Sequence, residues 1–110
     1  MWGETRAGGP MSATADVAAL FRKWGCDVWP TGTNRRSRIA VGFPDLIVLH
    51  NKFVAPIAFE VKGPGDKLSQ QQIQLGKQWA NGHGDWDYGY LGEAEEILRA
   101  AHIIPQGVSA

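Results

Sequence analysis

Between residues 12 and 25, Val17, Leu20, Phe21 and Trp24 recur three and four positions apart, the spacing of a helical stripe that faces a core. Ser12 or Thr14 offers a cap at the start and Gly25 a stop at the end. At Cys26 the pattern changes, and "CDVWP" predicts a short strand closed by Pro30. "TGTNRRSRIAVG", residues 31–42, mixes turn formers with arginines and has no period, which predicts an exposed loop. Residues 45–50 and 55–62 are rich in Ile, Val, Leu and Phe and predict two strands joined at "NKFV". "GPGDKLS" breaks that pattern. A helix is then expected from about Gln70 to Ala80, with Ile73 and Trp79 on its apolar side and Gly82 and Gly84 beyond its end. "WDYGYL" predicts a further strand and "EAEEILRAAH" a last helix, whose leading acids suit its positive end. The predicted order is helix, strand, strand, strand, helix, strand, helix. Residues 1–11 have no period and read as a flexible arm, leaving 12–110 as one domain.

The chain's 110 residues suffice for one core and not for two. At 44% hydrophobic and 20% charged residues, neither a disordered tail nor a membrane protein is expected. No apolar run approaches bilayer-spanning length, and "MWGETRAGGP" has no apolar segment of a secretory signal, so a cytoplasmic protein is expected. Cys26, the single cysteine, reads as a buried structural thiol. The net charge of zero hides two opposed regions. Arg22, Lys23, Arg35, Arg36 and Arg38 face only Asp27 in their stretch, whereas Asp85, Asp87, Glu93, Glu95 and Glu96 lie together with no Lys or Arg between them.

The candidate chemistry lies in "GFPDLIVLHNKFVAPIAFEVKG", residues 42–63. Strand alternation puts Glu60 and Lys62 on one face and Phe59 and Val61 on the other. If the two runs pair antiparallel about "NKFV", position i faces position 105 − i, and Asp45 falls opposite Glu60. Two opposed carboxylates repel, so a raised pKa, a salt bridge or a metal ion must compensate. A hard divalent cation, Mg²⁺ or Mn²⁺, fits oxygen donors of this kind. Asp45, Glu60 and the Val61 carbonyl are the candidate ligands, and Lys62 would orient a water or offset developing charge, giving metal-assisted phosphodiester hydrolysis. Each residue also has a plainer reading: Pro-Asp opens turns, and Glu60 with Lys62 could form a simple salt bridge.

These residues resemble the PD-(D/E)xK nuclease superfamily and, within it, the VRR-NUC (virus-type replication-repair nuclease) domain. The resemblance rests on "GFPDLIVL" and "AFEVKGPGDKLSQQQ", preceded by "WGCDVWPTGTNRRSR", and spans roughly Trp24 to Tyr90. It implies an α/β fold with a restriction-endonuclease-like core, a small mixed β-sheet flanked by helices. It also implies that Asp45 and Glu60 are metal ligands, Lys62 the catalytic lysine, and Gln72 a site residue opening the following helix. Ser69 and Gln72 equally form a capping box, and both roles can hold at once. Such nucleases often add an acid from the first helix; here only Asp16 is available, and a ligand from it is doubtful. Members that stand alone are similar to enzymes that resolve Holliday junctions as homodimers, so a homodimer acting on branched or four-way DNA in repair is the expected form.

Arg35, Arg36, Arg38 and Lys67 are the expected phosphate contacts. Tryptophans can stack on unpaired bases; Trp24 and Trp79 fall on core stripes, while for Trp2 and Trp86 the pattern leaves both readings, core and stacking group, undecided. His50, His83 and His102 share no metal-site spacing. The competing reading is a non-catalytic nucleic-acid-binding or interaction module on the same fold.

Overall fold

The computed structural model describes residues 10–32 and 42–110. Within them the elements are α1 (Pro10–Lys23), β1 (Asp27–Pro30), β2 (Leu46–Leu49), β3 (Ile57–Val61), α2 (Gln70–Ala80), β4 (Asp85–Gly89) and α3 (Leu91–Ala100). This is the order predicted from the hydrophobic pattern. Most of the expected N-terminal arm and the tip of the arginine loop, with Trp2, Arg35, Arg36 and Arg38, lie outside the described residues.

The four strands form one sheet in the order β1-β2-β3-β4. β1, β2 and β3 run antiparallel in turn, and β4 joins parallel to β3 after the α2 crossover, so the sheet is mixed. Such a crossover needs a helix, and the break at Gly63–Ser69 supplies room to start one. The structure is thus a small α/β domain, a four-stranded mixed sheet flanked by helices, as expected of a PD-(D/E)xK-type nuclease.

In β2, Leu46 and Val48 are buried and Ile47 and Leu49 half-buried, so alternation sends one pair to the main core. That core lies between the sheet and the α1–α3 layer. Val17 and Phe21 of α1, Leu46, Val48, Ile57 and Phe59 of the sheet, and Ala94 and Leu98 of α3 form it. The Phe21 and Phe59 rings meet edge to face with centroids 5.6 Å apart, and truncating either aromatic to alanine should cost about 3–5 kcal/mol. Cys26 is buried as expected, and burial together with Asp27 pushes its thiol up to about 11, which leaves it unreactive.

α2 covers the opposite face of the sheet, and a glycine lets it do so. A Cβ at Gly76 would stand 2.0 Å from the Trp86 ring, so the helix backbone rests directly on the indole. Trp79 of α2 is half-buried against Phe43 and His83, with its indole N–H beside Gly84, rather than in the main core. Trp86, whose role between core and stacking group the pattern leaves undecided, is half-buried under α2.

Two boundaries differ from the sequence pattern. α1 begins at Pro10, so Ser12 and Thr14 fall inside the helix; proline's fixed φ suits a first helical position. β4 stops at Gly89, whose φ of 140° no other residue adopts readily, and Tyr90 and Leu91, expected as strand, instead open α3. Glu93 reaches back to accept the Tyr90 N–H at 2.8 Å, which fixes that start.

Candidate active site

β2 and β3 pair Leu46 with Phe59, Ile47 with Ala58 and Val48 with Ile57, the register in which positions sum to 105. One step further along the ladder, Asp45 faces Glu60 on the α2 side of the sheet. The connection between the strands is longer than the expected turn, but the register is the same.

Several contacts hold the Pro44–Asp45 segment in place. The Thr31 hydroxyl donates to the Pro44 carbonyl at 2.7 Å, and the Thr31 N–H to the Asp45 carbonyl at 3.0 Å. Gly42, at φ 92°, brings the incoming chain against the start of α2, where a Cβ would sit 3.0 Å from that of Gln71. The Asp45 side chain then reaches across to β3, where Oδ2 accepts the Val61 N–H at 2.9 Å. This leaves Oδ1 for another partner.

Glu60 is 4% exposed and is the one buried charged side chain among the described residues. Gln72 of α2 donates from Nε2 to Glu60 Oε2 at 3.0 Å. Glu60 Oε1 is buried and has no hydrogen-bond partner among the described residues. Burial pushes the Glu60 carboxyl up to about 8, the charge of Asp45 and the hydrogen bond that a protonated Glu60 can donate to it push the same way, and Lys62 pulls it down. A carboxylate forced into this position lowers stability, which points to a site rather than to packing.

Lys62 follows β3, with its N–H donating to the Gly89 carbonyl at 2.7 Å. It is half-buried and near enough for its charge to act on Glu60, yet among the described residues no ion pair joins them. The plain salt-bridge reading therefore has no contact behind it. Ser69 and Gln72 form the capping box reciprocally, Ser69 Oγ accepting from the Gln72 N–H at 3.1 Å and Gln72 Oε1 from the Ser69 N–H at 2.8 Å. One glutamine thus closes α2 and touches Glu60.

The structure brings Asp45, Glu60, Lys62 and Gln72 to one end of the sheet, with Val61 in the ladder between them. Lys67 is exposed in the turn that follows. Asp16 Oδ2 accepts the Tyr90 hydroxyl at 2.7 Å. No group of three or more His, Cys, Asp or Glu residues placed to share a cation occurs among the described residues. A divalent cation would therefore draw on two carboxylates, with water and substrate oxygens completing its shell. The buried Oε1 of Glu60, without a partner among the described residues and beside the Asp45 carboxylate, fits such an ion, because one cation would satisfy both acids.

The VRR-NUC domain family matches residues 21–81, more than half of the chain. The chain belongs to the VRR-NUC family. It is a nuclease-type domain, and the matched VRR-NUC stretch contains Asp45, Glu60, Lys62, Lys67, Gln72 and the three loop arginines. Neither a curated protein nor a solved structure matches the chain. No helix among the described residues is long and apolar enough to cross a membrane.

Sequence reasoning missed Tyr88. The parallel register sets it directly beside Glu60, and its ring is 46% exposed. Only the pairing of β3 with β4 reveals this, and pattern along the chain carries no signal for it.

Proposed function

We propose that this VRR-NUC domain is a Mg²⁺- or Mn²⁺-dependent DNA endonuclease that hydrolyses phosphodiester bonds in branched DNA. The observation that carries the reading is the Glu60 carboxyl, buried against Asp45 with one oxygen unpartnered and its pKa raised to about 8.

Asp45 and Glu60 supply the carboxylate oxygens that would hold the cation, with the Val61 carbonyl as a further donor. When bound, the cation supplies Lewis acidity, a polarised phosphate oxygen and a more acidic water. Glu60 must release its proton to bind, so the pair shifts from sharing a proton to sharing a cation. Gln72 holds Glu60 Oε2, which leaves Oε1 as the oxygen that would take the cation. Lys62 donates hydrogen bonds to the attacking water and offsets charge developing on the phosphate. Asp45, tied to the Val61 N–H, keeps its geometry through the reaction.

Arg35, Arg36, Arg38 and Lys67 would contact flanking phosphates, giving recognition by backbone shape and a steep salt dependence. A homodimer supplies the two sites that symmetric cutting of a four-way junction needs.

Incubation with linear, flapped and four-way DNA, with and without Mg²⁺, tests the reading. Branched DNA is cut only with the cation, and Lys62→Ala abolishes cutting while binding persists. Wild-type protein that binds every DNA and cuts none is the non-catalytic module instead.

A further inference from the structure

Beside the acid pair, a cleft of about 560 Å³ opens between the turn after β3 and the junction of β4 with α3. Lys62, Asp66, Asp87, Tyr88 and Glu93 are among the residues that line it. Lys62 thus borders both the acid pair and the cleft, so a nucleotide adjoining the scissile phosphate meets the cleft first.

Tyr88 is the exposed wall. Its Cα pairs with that of Glu60 across the parallel ladder, and adjacent strands lie about 4.8 Å apart. The two side chains therefore project side by side from the same face. On its inner side the phenol ring leans on Trp86, with centroids 5.6 Å apart and planes tilted by 38°. The indole is in turn pinned beneath Gly76. The Tyr88 ring is supported by Trp86 and the residue is exposed, whereas Tyr90, which also lines the cleft, is half-buried against the core with its hydroxyl held by Asp16.

The charges of the cleft select its occupant. Asp66, Asp87 and Glu93 repel a phosphate, which belongs on the Lys62 side. A flat, uncharged group that bears N–H donors suits an aromatic wall with carboxylates at its rim, and in DNA that group is a base. Asp66 Oδ2 accepts the Gly63 N–H at 3.0 Å, which orients the carboxylate and leaves its other oxygen for a ligand. A base paired and stacked in a duplex cannot enter a cleft at a sheet edge.

Resting on the nuclease reading above, we propose that this cleft seats one unpaired base next to the scissile phosphate, with Tyr88 as its stacking partner and Asp66 accepting from its N–H groups. The site thereby selects DNA in which the nucleotide beside the cut is unpaired, as at a flap or junction.

The test uses a branched DNA whose cut position has been mapped, with an abasic nucleotide placed on either side of the cut in turn. At one position the abasic substrate raises KM for the wild-type protein by about 5- to 150-fold, the range expected for losing one base–aromatic stack. Tyr88→Ala shows the same rise on intact DNA and no further rise on the abasic DNA, and Tyr88→Phe restores the wild-type KM. With Ca²⁺ in place of Mg²⁺, 2-aminopurine at that position is quenched by wild-type protein and by Tyr88→Phe, and not by Tyr88→Ala. If wild-type protein cuts but is indifferent to both abasic positions, or if the losses from Tyr88→Ala and from the abasic site multiply, the base seat is overturned and the nuclease reading stands. A wild-type protein that cuts no DNA overturns the nuclease reading and the base seat with it.

Discussion

Gln72 holds Glu60 with one end of its side chain and the start of α2 with the other. Nε2 donates to Glu60 Oε2 at 3.0 Å, and Oε1 accepts the Ser69 N–H at 2.8 Å. The helix cap and the candidate site therefore share one residue.

Two substitutions separate these roles. Ser69→Ala removes the cap alone and should cost about 1 kcal/mol of stability, with cutting near the wild-type rate. Gln72→Ala also releases Glu60, and losing a hydrogen bond to a charged group should slow cutting by about 10- to 100-fold. Thermal melts and single-turnover rates measured on the same preparations decide it; equal rates for the two variants at equal stability would give Gln72 a capping role alone.

The raised pKa of Glu60 sets a pH dependence of stability. A free glutamate ionises near 4.5, whereas Glu60 in the folded protein holds its proton up to about 8. Between these values the folded state binds the extra proton, so without metal the contribution of this group falls as pH rises from about 4.5 to about 8 and is level on either side. The loss is on the order of a few kcal/mol, since each pH unit in that window is about 1.4 kcal/mol. Glu60→Gln cannot ionise, and it should melt higher than wild-type protein at pH 8 in EDTA while cutting nothing. Denaturant titrations across the window that show the same slope for both proteins would refute a buried, proton-holding Glu60.

Asp45 has a structural duty that an amide can keep. Asp45→Asn retains an acceptor for the Val61 N–H and should fold with near wild-type stability yet lose metal-dependent cutting. Asp45→Ala leaves that N–H without its partner and should cost about 1–3 kcal/mol in addition. Chemical denaturation of the pair checks the ordering, which a role confined to either packing or chemistry would not produce.

Gly76 is where helix preference and packing conflict. Alanine gains about 1 kcal/mol of helix propensity over glycine, yet its Cβ would collide with Trp86. Gly76→Ala should therefore destabilise by about 1–3 kcal/mol and lower activity, because α2 carries Gln72 to Glu60. A variant more stable than wild type would mean that α2 does not rest on Trp86 as described.

Much of this was legible in the sequence because it depends on local pattern. Alternation in the two apolar runs and the short loop between them were enough to set Asp45 opposite Glu60, since a slip of one residue would have turned Leu46 and Val48 out of the core. The Ser69–Gln72 spacing gave the α2 start, and the capping box is present. What the chain could not disclose depends on contacts between distant segments. The end of β4 at Gly89 is set by Glu93 reaching back, Trp86 is covered because Gly76 lets α2 approach, and Tyr88 neighbours Glu60 only through the parallel β3–β4 pairing. The hydrogen bond from the Tyr90 hydroxyl to Asp16 likewise joins α1 to the start of α3, a contact no local pattern discloses.

Calorimetric titration with Mn²⁺ tests the central claim most directly, because it reads cation binding and proton release without any need for cutting. At pH 6.5 each Mn²⁺ bound should displace about one proton, falling toward zero above the Glu60 pKa of about 8, and Glu60→Gln should not bind. Binding that survives in Glu60→Gln, or wild-type binding that releases no proton at pH 6.5, would show that the Asp45–Glu60 pair is not the cation site.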